Sequence, residues 1–367
     1  MVIPFNNFNK EYHAHKKEIL PAISKVLESG YFILGKEVED FEKAFAKYLE
    51  TKHVIGVANG MEAIQIALMA IGVKRGDEVI TTSLSACATA LAIKIIGAKP
   101  IFVDIDQYYH IDPKEIERKI TKKTKAIIPV HIYGQAANMS KIMAIAKKHN
   151  LQVIEDCAQA HGAKFKNKKV GSFGIAGCFS FYPTKNLGTY GDGGAIATSN
   201  VELANRMRMM RNYGQENRYE HPVIGINSRL DAIHATILST KLKKLDINNK
   251  KRASLAKLYR KELQSVKQIK LPIERKGVAH VYHLFVVEAK KREELQRYLG
   301  KKGVATLIHY PIPIHKQRSF REFNSLHLPR LEERTKKILS LPCHPYLSLN
   351  EARFISKQIR QFYSLER

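Results

Sequence analysis

Lys185 closes an apolar run that begins at Cys178, and a second apolar run at 151–156 ends in Asp156. A lysine held against hydrophobic surface loses part of its water shell, so its amine becomes neutral and nucleophilic more readily. A carboxylate at a neighbouring strand end is what a pyridinium nitrogen needs as its partner. Together the two residues match the ends of a pyridoxal 5'-phosphate (PLP) site, with lysine at the aldehyde and aspartate at the ring nitrogen. Taken separately, each also reads as ordinary: a surface lysine after a strand and a strand-terminal acid.

Four segments would have to converge on such a site. At 58–63 a strand ends, Asn59 and Gly60 turn, and a helix starts with Met61 and Glu62. Free amides and the helix dipole at Gly60 and Met61 suit a phosphate. In 155–162, Gln159 follows Asp156 by three residues and could reach the ring oxygen. His161 is read as structurally satisfied in a packed turn, with catalysis as the alternative. In 180–194, Ser180 and Tyr182 alternate along a strand, one able to donate to the phosphate and the other to border the substrate. Gly188 and the glycines of 191–194 let the Lys185 loop fold tightly. At 225–231, Asn227 or Ser228 would cap the next helix, unless they bind ligand.

Positioning these residues requires a particular scaffold. Residues 53–200 alternate short apolar strands (53–58, 78–82, 100–104, 126–132, 152–155, 178–182, 195–198) with amphipathic helices (61–71, 85–96, 113–120, 139–149). Strands apolar throughout, alternating with helices, predict an α/β fold with a mostly parallel sheet covered on both faces. Ligands in such sheets sit beyond the carboxyl ends of the strands, where Asp156 and Lys185 both fall. After about residue 246 the texture changes to basic helices (249–263, 293–301, 331–338, 350–362) around strands at 282–288 and 306–310. The reading is a large domain over 1–245 and a smaller C-terminal α+β domain over 246–367, joined through a helix at 230–245.

Composition narrows the class. The chain has 61 basic against 34 acidic residues, formally +27. Its lysines are scattered in pairs such as Lys122-Lys123 and Lys243-Lys244, which reads as solvated surface, not as a nucleic-acid footprint. No apolar run is long enough to span a membrane, and the amino terminus lacks a secretion-signal layout. Four dispersed cysteines (Cys87, Cys157, Cys178, Cys343) read as reduced core residues of a cytoplasmic protein, with no metal site.

The ordered set of segments resembles the DegT/DnrJ/EryC1/StrS family of fold-type I, PLP-dependent sugar aminotransferases. It comprises 30–35, Asn59-Gly60, 76–80, 97–100, 133–135, Glu155-Asp156, 180–188, 191–194, 227–229 and 309–313. The resemblance implies that Lys185 is the catalytic lysine bonded to the PLP aldehyde and that Asp156 pairs with the ring nitrogen. It puts Gln159 near the ring oxygen, and Gly60, Met61 and Ser180 on the phosphate. Asn227 would reach the phosphate of a neighbouring subunit, making the active unit a homodimer with its site at the interface. Tyr182, His309 and Tyr310 would line the sugar pocket. One departure stands out: relatives carry an aromatic on the cofactor face where Ala86 stands.

The implied reaction moves nitrogen from glutamate to a nucleotide-linked keto sugar, as in deoxyamino sugar synthesis for lipopolysaccharide O-antigen. Gly191-Asp192 with Tyr182–Lys185 resembles members acting at C3 of dTDP-linked 3-keto-6-deoxyhexoses. A C4 aminotransferase is the alternative. More remote are a non-enzymatic regulator on the same scaffold, expected to have lost Lys185 or Asp156, and a polyanion binder.

Overall fold

The computed structural model describes residues 2–364. Two helices that the sequence reading did not single out, α1 (Phe8–Ser29) and α2 (Lys36–Leu49), come first. Helix α2 buries Val38, Phe41, Phe45 and Leu49, an i, i+3/i+4 stripe that only an amphipathic helix makes.

A seven-stranded sheet follows, built from β1 (His53–Val57), β2 (Glu78–Thr82), β3 (Lys99–Val103), β4 (Thr124–Ile128) and β5 (Gln152–Asp156). A short ribbon, β6 (Lys164–Phe165) and β7 (Lys168–Lys169), precedes its last strands, β8 (Ala176–Ser180) and β9 (Gly194–Thr198). The spatial order is β1-β9-β8-β5-β4-β2-β3. Neighbouring pairs among β2, β3, β4, β5 and β8 are parallel. Only β9 is reversed, pairing antiparallel with both β8 and β1. The expected α/β architecture is the one found. Because one strand alone runs backward, the carboxyl ends of β1, β5 and β8 and the amino end of β9 share one edge.

Helices α3 (Gly60–Ala70), α4 (Cys87–Ile95), α5 (Pro113–Arg118), α6 (Met139–Lys148), α7 (Val201–Met210) and α8 (Ala232–Leu242) complete the sheet's layers. One hydrophobic cluster joins Phe41, Phe45, Ile142 and Leu238 on one face; another joins Ile64, Leu68, Ile93 and Met207 on the other. Burial on both faces explains why the strands read as unbroken apolar runs.

The rest of the chain is α9 (Leu245–Leu263), β10 (Ile269–Lys270), β11 (Val278–Ala279), β12 (Phe285–Ala289), α10 (Arg292–Lys301), α11 (Pro329–Thr335), β13 (Ile338–Leu341) and α12 (Leu349–Ser364). Strands β10, β12 and β13 form a second sheet, whose cluster gathers Leu255, Tyr259, Phe285, Leu341 and Ile359. Three expectations need correction here. The helix expected at 230–245 is broken, since α8 ends at Leu242 and α9 starts at Leu245. The strand expected at 306–310 contributes only the bridge between Leu307 and Ser340. The helix expected at 331–338 stops at Thr335, because Ile338–Leu341 is wholly buried as a strand against β12.

Candidate active site

The shared sheet edge holds a cavity of about 240 Å³. Seven of the site residues expected from the sequence line it: Gly60, Met61, Asp156, Gln159, Ser180, Tyr182 and Lys185. At one end, Asn59 caps α3 by accepting from the Glu62 N–H at 2.9 Å. The first helical bond is made by the Ala63 N–H, so the amides of Gly60 and Met61 precede the helix ladder. Packing forces glycine at 60: a Cβ there would stand 2.7 Å from the Ser180 Cβ. Ser180 ends β8, opposite Gly194. Tyr182 lies beyond the strand, half exposed at 51%. Its placement beside Ser180 therefore comes from the turn and not from strand alternation.

At the other end, Asp156 terminates β5 and is buried. Its Oδ1 accepts from the Ala158 N–H at 3.1 Å and its Oδ2 from the Thr89 hydroxyl at 2.7 Å. Lys185 sits in a tight turn closed by its own N–H to the Tyr182 carbonyl at 2.9 Å. Its side chain is partly open to the cavity, yet surrounding protein strips enough water to bring its pKa from 10.5 down to about 8, against the opposing pull of Asp156. The chamber thus holds a weakened base and a buried acid.

Gln159 is gripped at both ends of its amide. Its Oε1 accepts from the Tyr133 N–H at 2.7 Å, and its Nε2 donates to the Tyr310 hydroxyl at 3.0 Å. One amide hydrogen remains for a ligand. Tyr310 does not line the cavity itself; it stands one hydrogen bond behind it. His309 bonds the Ser340 hydroxyl through Nδ1 at 2.8 Å, and burial lowers its pKa to about 4. His161 packs against Phe179 and Phe181 and is brought down to about 3 by burial and by Lys185.

Asn227 is exposed and outside the cavity. The capping expectation for Asn227 or Ser228 is wrong. Helix α8 takes Asp231 at its N-cap, and the Ser228 hydroxyl instead accepts from the Ala58 N–H at 3.1 Å. Ser228 thereby braces the turn that precedes Gly60.

Sequence reasoning missed Thr89 and Ser85. Both line the cavity, yet nothing in the linear pattern pairs a threonine in α4 with an aspartate 67 positions later. Ala86 lines it too, beside Ala88, and Tyr182 is its only aromatic lining residue among the described residues. Elsewhere, buried His131, Glu155 and Cys157 hold ligand-type atoms within 4.8 Å. Their capacity is used internally: Glu155 accepts from the N–H groups of Gly171, Phe173 and Gly174 and pairs with His131 at 2.9 Å.

The DegT/DnrJ/EryC1/StrS aminotransferase family pattern matches residues 13–360. The chain belongs to that family. It is 47% identical, over 98% of its length and 99% of the relative's, to the dTDP-3-amino-3,6-dideoxy-alpha-D-galactopyranose transaminase of Aneurinibacillus thermoaerophilus. It is 45% identical, over 99% of both chains, to a pleiotropic regulatory protein of Geobacillus stearothermophilus. Among solved structures it resembles S. venezuelae DesV in complex with a ketimine intermediate, with a TM-score of 0.96, 40% identity and 98% of each chain covered. Bacillus subtilis NtdA, solved with bound cofactor PMP, superposes with a TM-score of 0.92 at 34% identity, over 100% of this chain and 86% of that one. No helix among the described residues is long and apolar enough to cross a membrane.

Proposed function

We propose that the cavity binds PLP and that the protein transfers an amino group from glutamate to C3 of a dTDP-linked 3-keto-6-deoxyhexose. The observation that carries this reading is the pairing of Lys185 and Asp156 in one cavity that Gly60, Met61 and Ser180 also line. The donor set fits the coenzyme. The Gly60 and Met61 amides and the Ser180 hydroxyl suit a phosphate dianion. Asp156 Oδ1 and Oδ2 each have one protein donor, which leaves lone pairs for a protonated ring nitrogen.

When bound, PLP supplies an aldehyde for the lysine and a cationic ring that absorbs carbanion charge. The chain's own residues do the rest. With a pKa near 8, Lys185 presents about a tenth of its amine neutral at pH 7, against roughly one part in three thousand for an ordinary lysine. Its Nζ would carry the proton to and from the substrate carbon as general base and acid. Asp156 would pair with the protonated ring nitrogen, while Thr89 and the Ala158 amide fix the orientation of its carboxylate. Tyr182 borders the sugar, with His309 and Tyr310 behind it.

The choice of C3 and of dTDP rests on the transaminase of Aneurinibacillus thermoaerophilus named above, whose name gives a dTDP-linked sugar carrying its amine at C3. Exposed Asn227 supports a homodimer in which this residue reaches the phosphate site of the neighbouring subunit. The same reading takes 1–245 as the coenzyme domain and 246–367 as the smaller one, and puts the protein in the cytoplasm, where its four unpaired cysteines would stay reduced. The regulator named among the relatives offers a second reading. Retention of both Lys185 and Asp156 favours catalysis. The test is mass spectrometry of products from dTDP-, UDP- and GDP-linked 3-keto and 4-keto sugars supplied with glutamate. An amine at C3 of the dTDP sugar is expected. Amine at C4 alone, or no amine from any sugar, overturns the proposal.

A further inference from the structure

A second, smaller cavity of about 30 Å³ shares Lys185 with the first and none of its other lining residues. Its wall includes Glu11 and His15 from α1, Lys241 from α8, Arg252 from α9, and His344. Lys241 is buried; it pairs with Glu11, donates to the Gly188 carbonyl at 2.7 Å and lies 3.9 Å from the Tyr190 ring centroid. That interaction occupies the only carboxylate lining the chamber among the described residues.

Arg252 is buried as well and has no carboxylate partner among the described residues. Its Nη1 is directed to the carbonyls of Tyr282, His283 and Cys343, and its Nε has no hydrogen-bond partner. His15 uses Nε2 on the Tyr346 hydroxyl at 3.0 Å, leaving Nδ1 unpartnered. Neither ring nitrogen of buried His344 makes a bond of ordinary geometry, although the Pro4 carbonyl is close enough to favour its charged form. Buried polar atoms without partners are rare, and a buried charge without a counter-ion is costly. Here four such atoms belong to residues around one small void. Its volume admits one or two waters, or one ion of halide size. Water would satisfy donors but leave the guanidinium charge with only the more distant pull of Glu11, which Lys241 already pairs; an anion does both.

We propose that this chamber is a binding site for one small inorganic monovalent anion of chloride size, held by Arg252, Lys241 and a ring N–H of His344. The ion would tie α8 and α9 to the segment after β13 that carries His344. The proposal goes beyond the coenzyme reading and does not depend on it.

Crystals of the holoprotein soaked in bromide test it directly. An anomalous bromine peak in the chamber is expected; water density without anomalous signal at saturating bromide overturns it. In solution, chloride titrated against gluconate at fixed ionic strength should raise the melting temperature along a saturating curve. Arg252→Gln and His344→Phe should each lose that saturable rise, and His344→Phe carries the test if Arg252→Gln does not fold. A wild-type melting temperature indifferent to chloride, or a saturable rise that survives in His344→Phe, also overturns it. Failure of the coenzyme reading would instead show as colourless protein and leave the bromine peak untouched.

Discussion

The Thr89 hydroxyl donates to Asp156 Oδ2 at 2.7 Å, and Ser85 Oγ stands 2.8 Å from the same Thr89 oxygen. All three residues are buried. Since the Thr89 proton is committed to the carboxylate, Ser85 must be the donor in the second contact. The relay fixes the orientation of the Asp156 carboxylate. A hydrogen bond to a charged group contributes about 1.5–3 kcal/mol. Thr89→Val, which keeps the shape and removes the donor, is expected to lower kcat by roughly 10- to 100-fold at saturating PLP. Thr89→Ser should recover most of the rate. A valine variant as fast as wild type would remove Thr89 from the positioning machinery.

The pKa of Lys185 gives two pH signatures. Its folded value of about 8 lies below the ordinary 10.5, so between those values the unfolded chain binds more protons than the folded one. Stability of the coenzyme-free protein should therefore gain from this group as pH rises from about 8 to about 10.5. Lys185→Met should flatten that part of a urea-denaturation pH series. Capture of PLP by the free amine should likewise accelerate as pH rises through about 8, read as growth of the visible band, and Lys185→Ala should show neither capture nor turnover.

Gly60→Ala places a methyl group 2.7 Å from the Ser180 Cβ, closer than real Cβ contacts come. Relief must push α3 and β8 apart at the proposed phosphate seat. The expected result is a PLP dissociation constant raised at least tenfold with little change in fold, measured by fluorescence titration of the coenzyme-free protein. Unchanged affinity would argue that the phosphate sits elsewhere.

Glu155 makes a purely structural prediction. Its carboxylate collects three backbone N–H groups at 2.7–2.9 Å and His131 besides, pinning 171–174 under the sheet. Glu155→Gln turns one acceptor oxygen into a donor that faces those N–H groups. A loss of about 2–4 kcal/mol is expected by chemical denaturation, in line with unsatisfied buried donors. A loss below 1 kcal/mol would mean that the loop rearranges freely.

The sheet was legible because strands covered on both faces leave nothing polar to interrupt them, as in Val153-Ile154 and Ile127-Ile128. Lys185 and Asp156 were legible because a charge ending such a run is conspicuous. Thr89 was not, since a threonine inside a helix has many ordinary uses and its partner is set by a parallel crossover. Local spacing offers Asn227 or Ser228 as a helix cap or ligand contact, but the Ser228 hydroxyl is taken by the Ala58 N–H across the fold. The C-terminal strand β13 hid behind the helical pattern of 331–335, because four residues carry too little periodicity to announce a change of structure.

Helix α9 has one end in each of two separate apolar clusters: Leu245 packs beneath the large sheet, while Leu255, Tyr259 and Leu263 pack beneath the small one. Such a spine is stiff over its 19 residues. The C-terminal body therefore cannot swing like a door on a loose strap without bending that rod or tearing a cluster open. Entry of a bulky sugar nucleotide should depend on movements of side chains and short loops at the cavity mouth, over a chassis that stays rigid throughout turnover.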